Sequence, residues 1–434
     1  MQQYDLIVIG AGPGGYKAAG YGVADGKRVA IIEKSHLGGT CLNRGCVPTK
    51  CLCAAADRIL EIQHAADFGI DVTSFVADFS KAHGRAIDII ATLRDDVNAH
   101  LHGADIIEGT AQITGPNTVS VGNQVFEAKN IIIATGSQPA PFPAEGGEYT
   151  ENSDDFLARE ELPEKIAIVG GGVIGLEFAS IISAYGKDVT IVEYCKEILP
   201  GFDSQIAKRL RTYMGRRGVK FILGARVVSV DSNHTITYEA KNKLQSLESD
   251  IVISAVGRRP VLPGGISDVG IQLTEKGFIA VDKSYETSVK GIYAIGDVNG
   301  TCMLAHAAYA QAAIVTGKAN STGVIPSIVF TNPECASVGI TVDSIENLKS
   351  VTVPYSTNAK ALASGESDGI LKLVYNDAYN LVGCQAVGTH AADLVAEAAI
   401  AIDAAYDLRK FAFHSVSAHP SISEMLQVAA EAAV

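Results

Sequence analysis

Two cysteines, Cys41 and Cys46, have the residue type and the spacing for thiol-disulfide chemistry. In a regular α-helix, residues five apart lie about 8.6 Å from one another at Cα, from a rise of about 1.5 Å and a radius of about 2.3 Å. A disulfide requires less than about 7 Å. If the two cysteines bond to each other, the backbone between them must be distorted, and Gly45 and Pro48 permit or impose this. The stretch is therefore suited to a bond that opens and closes.

Two simpler interpretations of these cysteines stay open on composition alone. Cysteines in an intracellular chain are more often unrelated buried thiols or metal ligands. A zinc site would need two further ligands arranged with them, and beyond Cys51 and Cys53 no nearby cysteine pair of the usual short spacing supplies these. We predict no metal site.

The N-terminal stretch must position any such chemistry, and it has a dinucleotide-binding pattern. An apolar run leads into a glycine turn at Gly10, Gly12 and Gly15, an alanine-rich helical pattern follows, and a second apolar run ends at Glu33. The glycines allow a tight turn, close approach of the backbone to a pyrophosphate, and close packing of helix and strand. The helix N-terminus then faces the phosphates, and Glu33 can accept hydrogen bonds from ribose hydroxyls.

The same pattern occurs again in the middle of the chain. An apolar run enters Gly170, Gly172 and Gly175, and the acid that follows is Glu193. From the first glycine to the acid the spacing is 23 residues in both copies. Two such patterns indicate two dinucleotides.

The segment from Gly38 to Lys50, with the sequence GGTCLNRGCVPTK, resembles the active-site segment of the FAD-dependent pyridine nucleotide-disulfide oxidoreductases. It is most similar to the branch that oxidises dihydrolipoamide, and the motifs of nearly the whole chain fall in the family's order. The resemblance implies that Cys41 exchanges with substrate and that Cys46 contacts the flavin. It also assigns cofactor-binding roles to other residues, namely Thr135, Gly136, Ser137, Gly257 and Asp297.

The cofactors follow from the position of the cysteines within this resemblance. A flavin must touch a thiol to exchange electrons with it, so the first glycine unit is expected to hold FAD and the second to hold NAD. Glu193 favours NAD over NADP because a carboxylate would repel a 2′-phosphate.

Near the end of the chain, His419 and Glu424 match the family's acid-base pair. A histidine can take a proton from the incoming dithiol, and a carboxylate can fix its tautomer. The alternative is structural, since Ser421 and Glu424 have the spacing of a helix capping box. Family members place this histidine opposite the cysteines of the partner subunit, so the resemblance implies a homodimer.

The resemblance implies that Lys50 and Glu177 pair beside the flavin, as the matching residues of the family do. Glu177 interrupts an apolar run, and a carboxylate there needs a partner. The alternative is that both are surface side chains.

The predicted fold class is α/β, with two Rossmann-like dinucleotide-binding domains and an α+β C-terminal dimerisation domain. Residues 1–145 and 263–322 are expected to form the FAD-binding domain, residues 146–262 the NAD-binding domain, and residues 323–434 the dimer-interface domain. Residues 55–102 are predicted to be helical.

Charge and hydropathy exclude several classes of partner. The 434 residues carry a net charge of −13 and no basic cluster, which argues against nucleic acid. No apolar run is long enough to span a bilayer, and the first one enters a glycine turn at once, so we expect no membrane association and a cytoplasmic location.

The resemblance implies a relay from a dithiol through the cysteine pair and FAD to NAD. Dihydrolipoamide fits best, carried by a lipoylated protein of a 2-oxo acid dehydrogenase or glycine cleavage complex. Alternatives are a glutathione-type or other low-molecular-weight disulfide reductase, and a flavin-binding partner protein without turnover. Arg44 between the cysteines and Gln311, where the family often has glutamate, leave substrate entry open.

Overall fold

The computed structural model describes residues 2–342 and 348–434, which form two compact units. The first unit consists of Met1–Thr49, His83–Ala140 and Gly257–Thr322, and the second consists of Lys50–Ala82, Pro141–Val256 and Gly323–Val434. The four predicted domain ranges stay a prediction, because this division is coarser.

The helices and strands of the described chain follow each other with few long irregular stretches. In chain order they are β1 (Gln2–Ile9), α1 (Pro13–Ala24), β2 (Val29–Glu33), α2 (Gly39–Arg44), α3 (Cys46–Gln63), α4 (Phe79–His100), β3 (Asp105–Glu108), β4 (Ala111–Gly115), β5 (Thr118–Val121), β6 (Gln124–Ile133), β7 (Ser137–Pro139), α5 (Ser153–Leu157), β8 (Lys165–Val169), α6 (Val173–Ala184), β9 (Asp188–Glu193), α7 (Ser204–Arg216), β10 (Lys220–Leu223), β11 (Ala225–Val230), β12 (Thr235–Ala240), β13 (Lys243–Glu248), β14 (Ile251–Ser254), β15 (Arg258–Pro260), β16 (Ile292–Ala294), α8 (Ala305–Val315), β17 (Ser327–Val329), β18 (Cys335–Gly339), β19 (Lys349–Pro354), α9 (Ala359–Ala363), β20 (Ile370–Tyr375), β21 (Leu381–Val387), α10 (Ala391–Asp403), α11 (Leu408–Phe413) and α12 (Glu424–Ala433). Short 3-10 helices lie at Ala65–Phe68, Gly147–Tyr149, Gly296–Asn299 and Tyr355–Thr357.

A seven-stranded sheet organises the first unit. Its order is β3-β2-β1-β6-β5-β4, and β16 pairs with the second half of β6. The strands β3, β2, β1, β6 and β16 are parallel, whereas β4 and β5 are antiparallel additions. Because β1 is central, its residues from Leu6 to Ile9 are all buried, and their apolar run needs no polar alternation.

The second unit contains three sheets. A four-stranded parallel sheet has the order β10-β9-β8-β14, a three-stranded antiparallel sheet joins β11, β12 and β13, and a five-stranded antiparallel sheet has the order β17-β18-β21-β20-β19. Helices α10 and α12 contribute buried apolar faces to the core of the last sheet. The predicted α/β class, with two glycine-turn sheets and an α+β C-terminal region, is confirmed.

The helical prediction for residues 55–102 is wrong in its middle part. Helix α3 ends at Gln63 and α4 begins at Phe79, and the stretch between them has only one short 3-10 helix, which ends at Gly69 with a φ of 74°. Phe68 and Val76 in this stretch are exposed, so the apolar residues there do not form a buried helix face. Within residues 2–342 and 348–434, no helix has both the length and the apolar run that crossing a bilayer requires.

Candidate active site

The first glycine turn packs helix α1 directly against strand β1. Gly10 has a φ of 99°, and a Cβ there would lie 2.5 Å from the carbonyl oxygen of Ala134. A Cβ on Gly15 would lie 1.9 Å from the carbonyl oxygen of Gly10. Both distances are too short for a side chain, so the two positions require glycine.

The N-terminus of α1 has room for a ligand. Gly12 is the N-cap and its turn has no side-chain cap, while a Cβ on Gly12 would find its nearest neighbour, Gly39 Cα, 4.0 Å away. The N–H groups and dipole of such a helix end favour a phosphate. Glu33 closes the turn, because its Oε2 accepts a hydrogen bond from Ala11 N–H at 2.8 Å and its Oε1 accepts one from Ser35 N–H at 2.9 Å. These features fit the pyrophosphate and ribose of a dinucleotide.

The second glycine turn repeats this construction between β8 and α6. Gly170 has a φ of 114°, and a Cβ there would lie 2.4 Å from the carbonyl oxygen of Ala255. A Cβ on Gly175 would lie 2.1 Å from the carbonyl oxygen of Gly170. The same close packing of helix and strand therefore requires glycine here too.

This second turn also leaves its helix end open. At Gly172, the uncapped N-cap of α6, a Cβ would meet no atom of the described residues within 4 Å. Glu193 Oε2 accepts from Gly171 N–H at 2.5 Å, and its Oε1 accepts from Cys195 N–H at 2.6 Å. A second dinucleotide fits this site.

The backbone between the two cysteines is interrupted, as the sequence predicts. Helix α2, which contains Cys41, ends at Arg44, and Cys46 is the first residue of α3. Between them Gly45 has a φ of −151° and a ψ of −112°, and a Cβ there would lie 2.9 Å from the carbonyl oxygen of Thr40. The residue between the helices therefore has to be small for the two cysteine-bearing segments to approach each other.

Lys50 and Glu177 form an ion pair within the second unit. Lys50 Nζ lies 2.9 Å from both carboxylate oxygens, and Glu177 is buried whereas the Lys50 side chain is 34% exposed. Glu177 Oε1 also accepts from Phe330 N–H at 3.0 Å, and the Phe330 ring centroid lies 4.6 Å from Lys50 Nζ. Phe330 thus contacts both members of the pair, Glu177 through its backbone N–H and Lys50 through its ring. The position of the pair beside a flavin stays a prediction.

Cys53, two turns beyond Cys46 and about one turn beyond Lys50 along α3, is held in its thiol form. Burial raises the pKa of Cys53, and the charge of Glu177 raises it further. Because the thiolate is the reactive species, Cys53 is a poor participant in disulfide exchange.

Asp297 belongs to a short chain of hydrogen bonds in the first unit. Ser137 Oγ donates to Asp297 Oδ2 at 2.5 Å, and Arg258 Nε donates to Ser137 Oγ at 2.7 Å. The neighbouring Thr135 Oγ1 donates to the carbonyl oxygen of Val261 at 2.5 Å. Gly136, between them, has a φ of 69°, and a Cβ there would meet no described atom within 4 Å.

Gln311 supports the same region with a neutral side chain. It is almost fully buried, and its Oε1 accepts from Gly296 N–H at 2.7 Å and from Asn299 Nδ2 at 3.0 Å. It therefore fixes the backbone immediately before Asp297.

His419 and Glu424 contact each other at the start of α12. His419 Nδ1 lies 2.9 Å from Glu424 Oε1, and Glu424 Oε2 accepts from Ser421 N–H at 2.8 Å. Ser421 Oγ has no hydrogen-bond partner in the described chain, so only one half of the alternative capping box is formed. The Ser421 N–H, and then the His419 ring, lower the pKa of Glu424 below its ordinary value.

A pair of tyrosines near the cysteines has no counterpart in the sequence-based prediction. Tyr16 Oη and Tyr309 Oη lie 2.6 Å apart, and Lys17 Nζ lies 5.9 and 5.7 Å from the two ring centroids. Burial raises the pKa of both phenols, and the charge of a Cys41 thiolate contributes in each case. Both phenols therefore stay protonated and can donate hydrogen bonds.

The predicted site residues are divided between the two units. The first contains Cys41 and Cys46, the first glycine turn and Asp297, whereas the second contains Lys50 with Glu177, His419 with Glu424, and the second glycine turn. The sequence-based prediction did not include three residues of this region, because each contacts a partner that is distant in sequence. They are Arg258, which contacts Ser137, Phe330, which contacts Glu177, and Tyr309, which contacts Tyr16. The described residues contain no group of three or more His, Cys, Asp or Glu that could hold a metal ion.

Comparison with known proteins places the chain in one family. Residues 4–312 match the pyridine nucleotide-disulphide oxidoreductase model, and residues 325–430 match the dimerisation domain of the same family. The chain is 36% identical to a dihydrolipoyl dehydrogenase of Staphylococcus aureus and 35% identical to one of Geobacillus stearothermophilus, in each case over 99% of this chain and 96% of the relative.

Solved structures agree with this placement. The chain is similar to the HOCl-induced flavoprotein disulfide reductase RclA of Escherichia coli in its Cu(II) complex, with a TM-score of 0.88, 28% identity and full coverage of both chains. A second RclA structure gives a TM-score of 0.87 at 28% identity and 99% coverage of both chains. The family uses FAD and a pyridine nucleotide, as predicted, and both glycine turns have the open helix ends that these cofactors need. The chain therefore belongs to the pyridine nucleotide-disulphide oxidoreductases and is a flavoprotein disulfide oxidoreductase with the family's dimerisation domain.

Proposed function

We propose that this protein is a dihydrolipoamide dehydrogenase, which oxidises protein-bound dihydrolipoamide to lipoamide through a Cys41-Cys46 disulfide and FAD, with NAD+ as the final acceptor. The observation that carries the proposal is the break at Gly45 between the two cysteine-bearing helices. The two dihydrolipoyl dehydrogenases that match nearly the whole chain support this choice of substrate.

His419 supplies the base in this proposal. Because its Nδ1 contacts Glu424 Oε1, that nitrogen carries the ring proton, and Nε2 is left to accept a proton from the substrate thiol. The resulting thiolate attacks Cys41, the Cys41-Cys46 bond breaks, and Cys46 leaves as a thiolate.

The second substrate sulfur completes the exchange. It attacks the substrate sulfur bonded to Cys41, the bond between that sulfur and Cys41 breaks, and lipoamide leaves with its new S–S bond. His419 gives its proton to Cys41 and takes up the proton that the second substrate thiol loses. The two electrons now reside on the cysteine pair. Bound FAD would supply the two-electron chemistry that connects this dithiol to NAD+, with Cys46 as the sulfur on the flavin side.

The proposed binding residues follow the two turns. Gly10, Gly12, Gly15 and Glu33 would hold FAD together with Thr135 to Ser137 and Asp297. The second turn from Gly170 to Gly175, with Glu193 and Gly257, would hold NAD+. A carboxylate at Glu193, already bound to two backbone N–H groups, supports NAD+ over NADP+ because it would repel a 2′-phosphate.

We also propose that the active form is a homodimer in a cytoplasmic setting, with a lipoylated carrier of a 2-oxo acid dehydrogenase or glycine cleavage system as partner. The His419 side chain is 73% exposed in the single chain, and the nearby Val416 and Phe413 are also exposed. A base needs a more enclosed position, and His419 of the partner subunit would then serve the cysteines of this chain.

A second candidate is reduction of another disulfide, such as glutathione disulfide. Lys17 offers a cation above the tyrosine pair, and the electrostatic influence of Cys41 reaches both tyrosines. A cation there would suit a substrate with carboxylates. The similarity to a disulfide reductase of known structure is compatible with it.

Steady-state assays separate these candidates. The purified protein is tested for NAD+ reduction by dihydrolipoamide and for NADPH oxidation by glutathione disulfide. We expect the first to be the faster by orders of magnitude, to be lost in Cys46→Ser, and to persist in the control Cys51→Ala. A preference for glutathione disulfide would contradict the proposed substrate.

A further inference from the structure

Strands β7 and β15 form a two-stranded antiparallel ribbon beside one of the points where the chain leaves the first unit and one of the points where it re-enters that unit. Ser137 pairs with Pro260, and Pro139 pairs with Arg258. The chain leaves this unit after Ala140 and re-enters it at Gly257. Direct backbone pairing in the ribbon therefore joins the residues just before the crossing at Ala140 to the residues just after the crossing at Gly257.

Two residues of this ribbon, Ser137 and Arg258, form a chain of hydrogen bonds that ends at Asp297. Arg258 can only donate hydrogen bonds and an ionised carboxylate can only accept them. Ser137 Oγ, which lies between the two, must therefore accept from Arg258 Nε and give its single proton to Asp297 Oδ2. Arg258 Nη2 also donates to the carbonyl oxygen of Ser137 at 2.9 Å, so the guanidinium is fixed by two bonds to one residue.

The chain of bonds leaves one carboxylate oxygen for a ligand. Asp297 Oδ2 is occupied by Ser137, whereas Oδ1 receives no hydrogen bond from a side chain of the described residues. Gln311 fixes the backbone at Gly296, so both the main chain and the carboxylate of Asp297 are held in place. A hydroxyl group could therefore donate a hydrogen bond to Asp297 Oδ1, which is already oriented. The positive charge of Arg258 partly compensates the negative charge of this carboxylate.

We propose that Arg258 and Ser137 are positioning residues for FAD, which hold Asp297 in the orientation that accepts a hydroxyl of the cofactor. This inference rests on the proposed function, because it takes Asp297 as a residue that binds FAD. It adds that FAD retention depends on the ribbon through which the chain re-enters the first unit.

The neighbouring residue of the same strand provides a matched control. Arg259 has the same charge as Arg258, but its exposed side chain projects to the opposite face of the strand. There, with the Gln138 amide turned so that its oxygen accepts, Arg259 Nε and Nη2 each donate to it at 3.0 Å. Arg259 therefore has the same charge as Arg258 and lies in the same strand, but it is not part of the hydrogen-bond chain through Ser137 to Asp297.

The test measures FAD dissociation constants of the full-length protein by flavin fluorescence after removal and re-addition of FAD. The variants are Ser137→Ala, Arg258→Gln, Arg258→Lys and Asp297→Asn, with Arg259→Gln as the control. We expect Ser137→Ala and Arg258→Gln to weaken FAD binding by about tenfold or more, the effect of removing a hydrogen bond to a charged group. Arg259→Gln should change it by no more than about twofold, as for a surface substitution.

Further readouts separate positioning from folding. Arg258→Lys restores a donor and is expected to recover part of the affinity lost in Arg258→Gln. The affinity for NAD+, which binds at the second glycine turn under the proposed function, should stay unchanged in every variant. A loss of NAD+ binding together with FAD binding in both Ser137→Ala and Arg258→Gln would indicate general misfolding and would overturn the inference.

The outcomes for the inference and for the proposed function can be told apart. If Asp297→Asn loses FAD while Ser137→Ala and Arg258→Gln bind it as tightly as Arg259→Gln does, the inference is wrong and the proposed role of Asp297 stands. If the unmodified protein does not bind FAD, or Asp297→Asn binds it normally, the proposed site itself is wrong and the inference is lost with it.

Discussion

The two glycine turns of this chain share a backbone design but differ in the side chains that their helices present. In each turn the first glycine has a positive φ, the last lies against the carbonyl of the first, and the acid at the end of the second strand accepts from two backbone N–H groups. At the fifth residue of the helix, however, α1 has Lys17 and α6 has Glu177.

These two residues have different surroundings. Lys17 lies above the rings of Tyr16 and Tyr309, in the unit that also contains the cysteines. Glu177 is buried and bound to Lys50 and to the backbone of Phe330. The two turns therefore share a backbone that fits a dinucleotide, whereas the fifth residue of the following helix differs in charge and in the groups it contacts.

The two acids also differ in burial. Glu193 is buried and Glu33 is half-buried, although both make the same pair of backbone contacts. Part of the difference in burial comes from the residue that each acid contacts in its turn. This residue is Gly171 in the second turn, where a Cβ would lie 3.2 Å from Glu193 Oε2, and Ala11 in the first. The second turn therefore brings its backbone closer to its acid.

The largest expected effect comes from adding a methyl group to the last glycine of each turn. Gly15→Ala and Gly175→Ala place a Cβ 1.9 and 2.1 Å from a carbonyl oxygen, so the helix must shift at a cost of about 3 kcal/mol. We expect Gly15→Ala to abolish flavin retention, and Gly175→Ala to retain flavin but lose NAD+ binding. Flavin content and NAD+ titration measure the two losses.

Each unit offers a matched control for this experiment. Gly84 in α4 and Gly215 in α7 are helical glycines at which a Cβ would meet no described atom within 4 Å. Gly84→Ala and Gly215→Ala should be neutral or stabilising by up to about 1 kcal/mol. Loss of both cofactors in either Gly15→Ala or Gly175→Ala would show that the two turns do not act separately.

The next largest effect concerns the ion pair that distinguishes α6 from α1. In a double-mutant cycle of Lys50→Met and Glu177→Gln, we expect a coupling energy of about 1–2 kcal/mol in unfolding, since Glu177 is buried while Lys50 is partly exposed. Each single variant should also lower the rate of NAD+ reduction. Additive effects within experimental error would remove the proposed role of the pair.

A smaller effect is expected from the two acids. Glu193→Gln removes the negative charge that we propose to lie next to the ribose, and it should raise the preference for NADP+ relative to NAD+ by about tenfold, or about 1.4 kcal/mol. Glu33→Gln should instead weaken FAD binding and leave the NADP+ to NAD+ ratio unchanged. The ratio of specificity constants for the two nucleotides is the measurement, and a change of that ratio in Glu33→Gln would reverse our assignment of the cofactors.

The smallest effect concerns Glu424, which accepts from a histidine as well as from the backbone. Its pKa is lowered in the folded protein, so the stability it contributes is present above the ordinary glutamate pKa and is lost as the pH falls through the lowered value. The difference in unfolding free energy between the unmodified protein and Glu424→Gln should therefore be below about 1 kcal/mol at neutral pH and shrink on acidification. A difference that grows on acidification would contradict this.

The sequence predicted those features that depend on local spacing. The glycines and acids of both turns lie within 24 residues of each other, and Gly45 stands between the cysteines it separates, so geometry along the chain was sufficient. The Lys50-Glu177 and His419-Glu424 contacts were expected from charge and from a family resemblance, and both are present.

The features that the sequence did not predict arise from long-range packing. Arg258 reaches Asp297 through Ser137, which is 121 residues away from it in sequence, and Tyr309 meets Tyr16 across 293 residues. Residues 64–78 contain apolar side chains suited to a helix, but Phe68 and Val76 find no buried face in the single chain. Local propensity contains no information about such partners.

The most direct test of the account is anaerobic reduction of the flavin-loaded protein by dihydrolipoamide, followed by visible absorbance. We predict a long-wavelength band from a Cys46 thiolate against the flavin, present after reduction in the unmodified protein, present without reduction in Cys41→Ser, and absent in Cys46→Ser. If the band does not form, or forms equally in Cys46→Ser, Cys46 is not the sulfur that meets the flavin and the proposed relay is wrong.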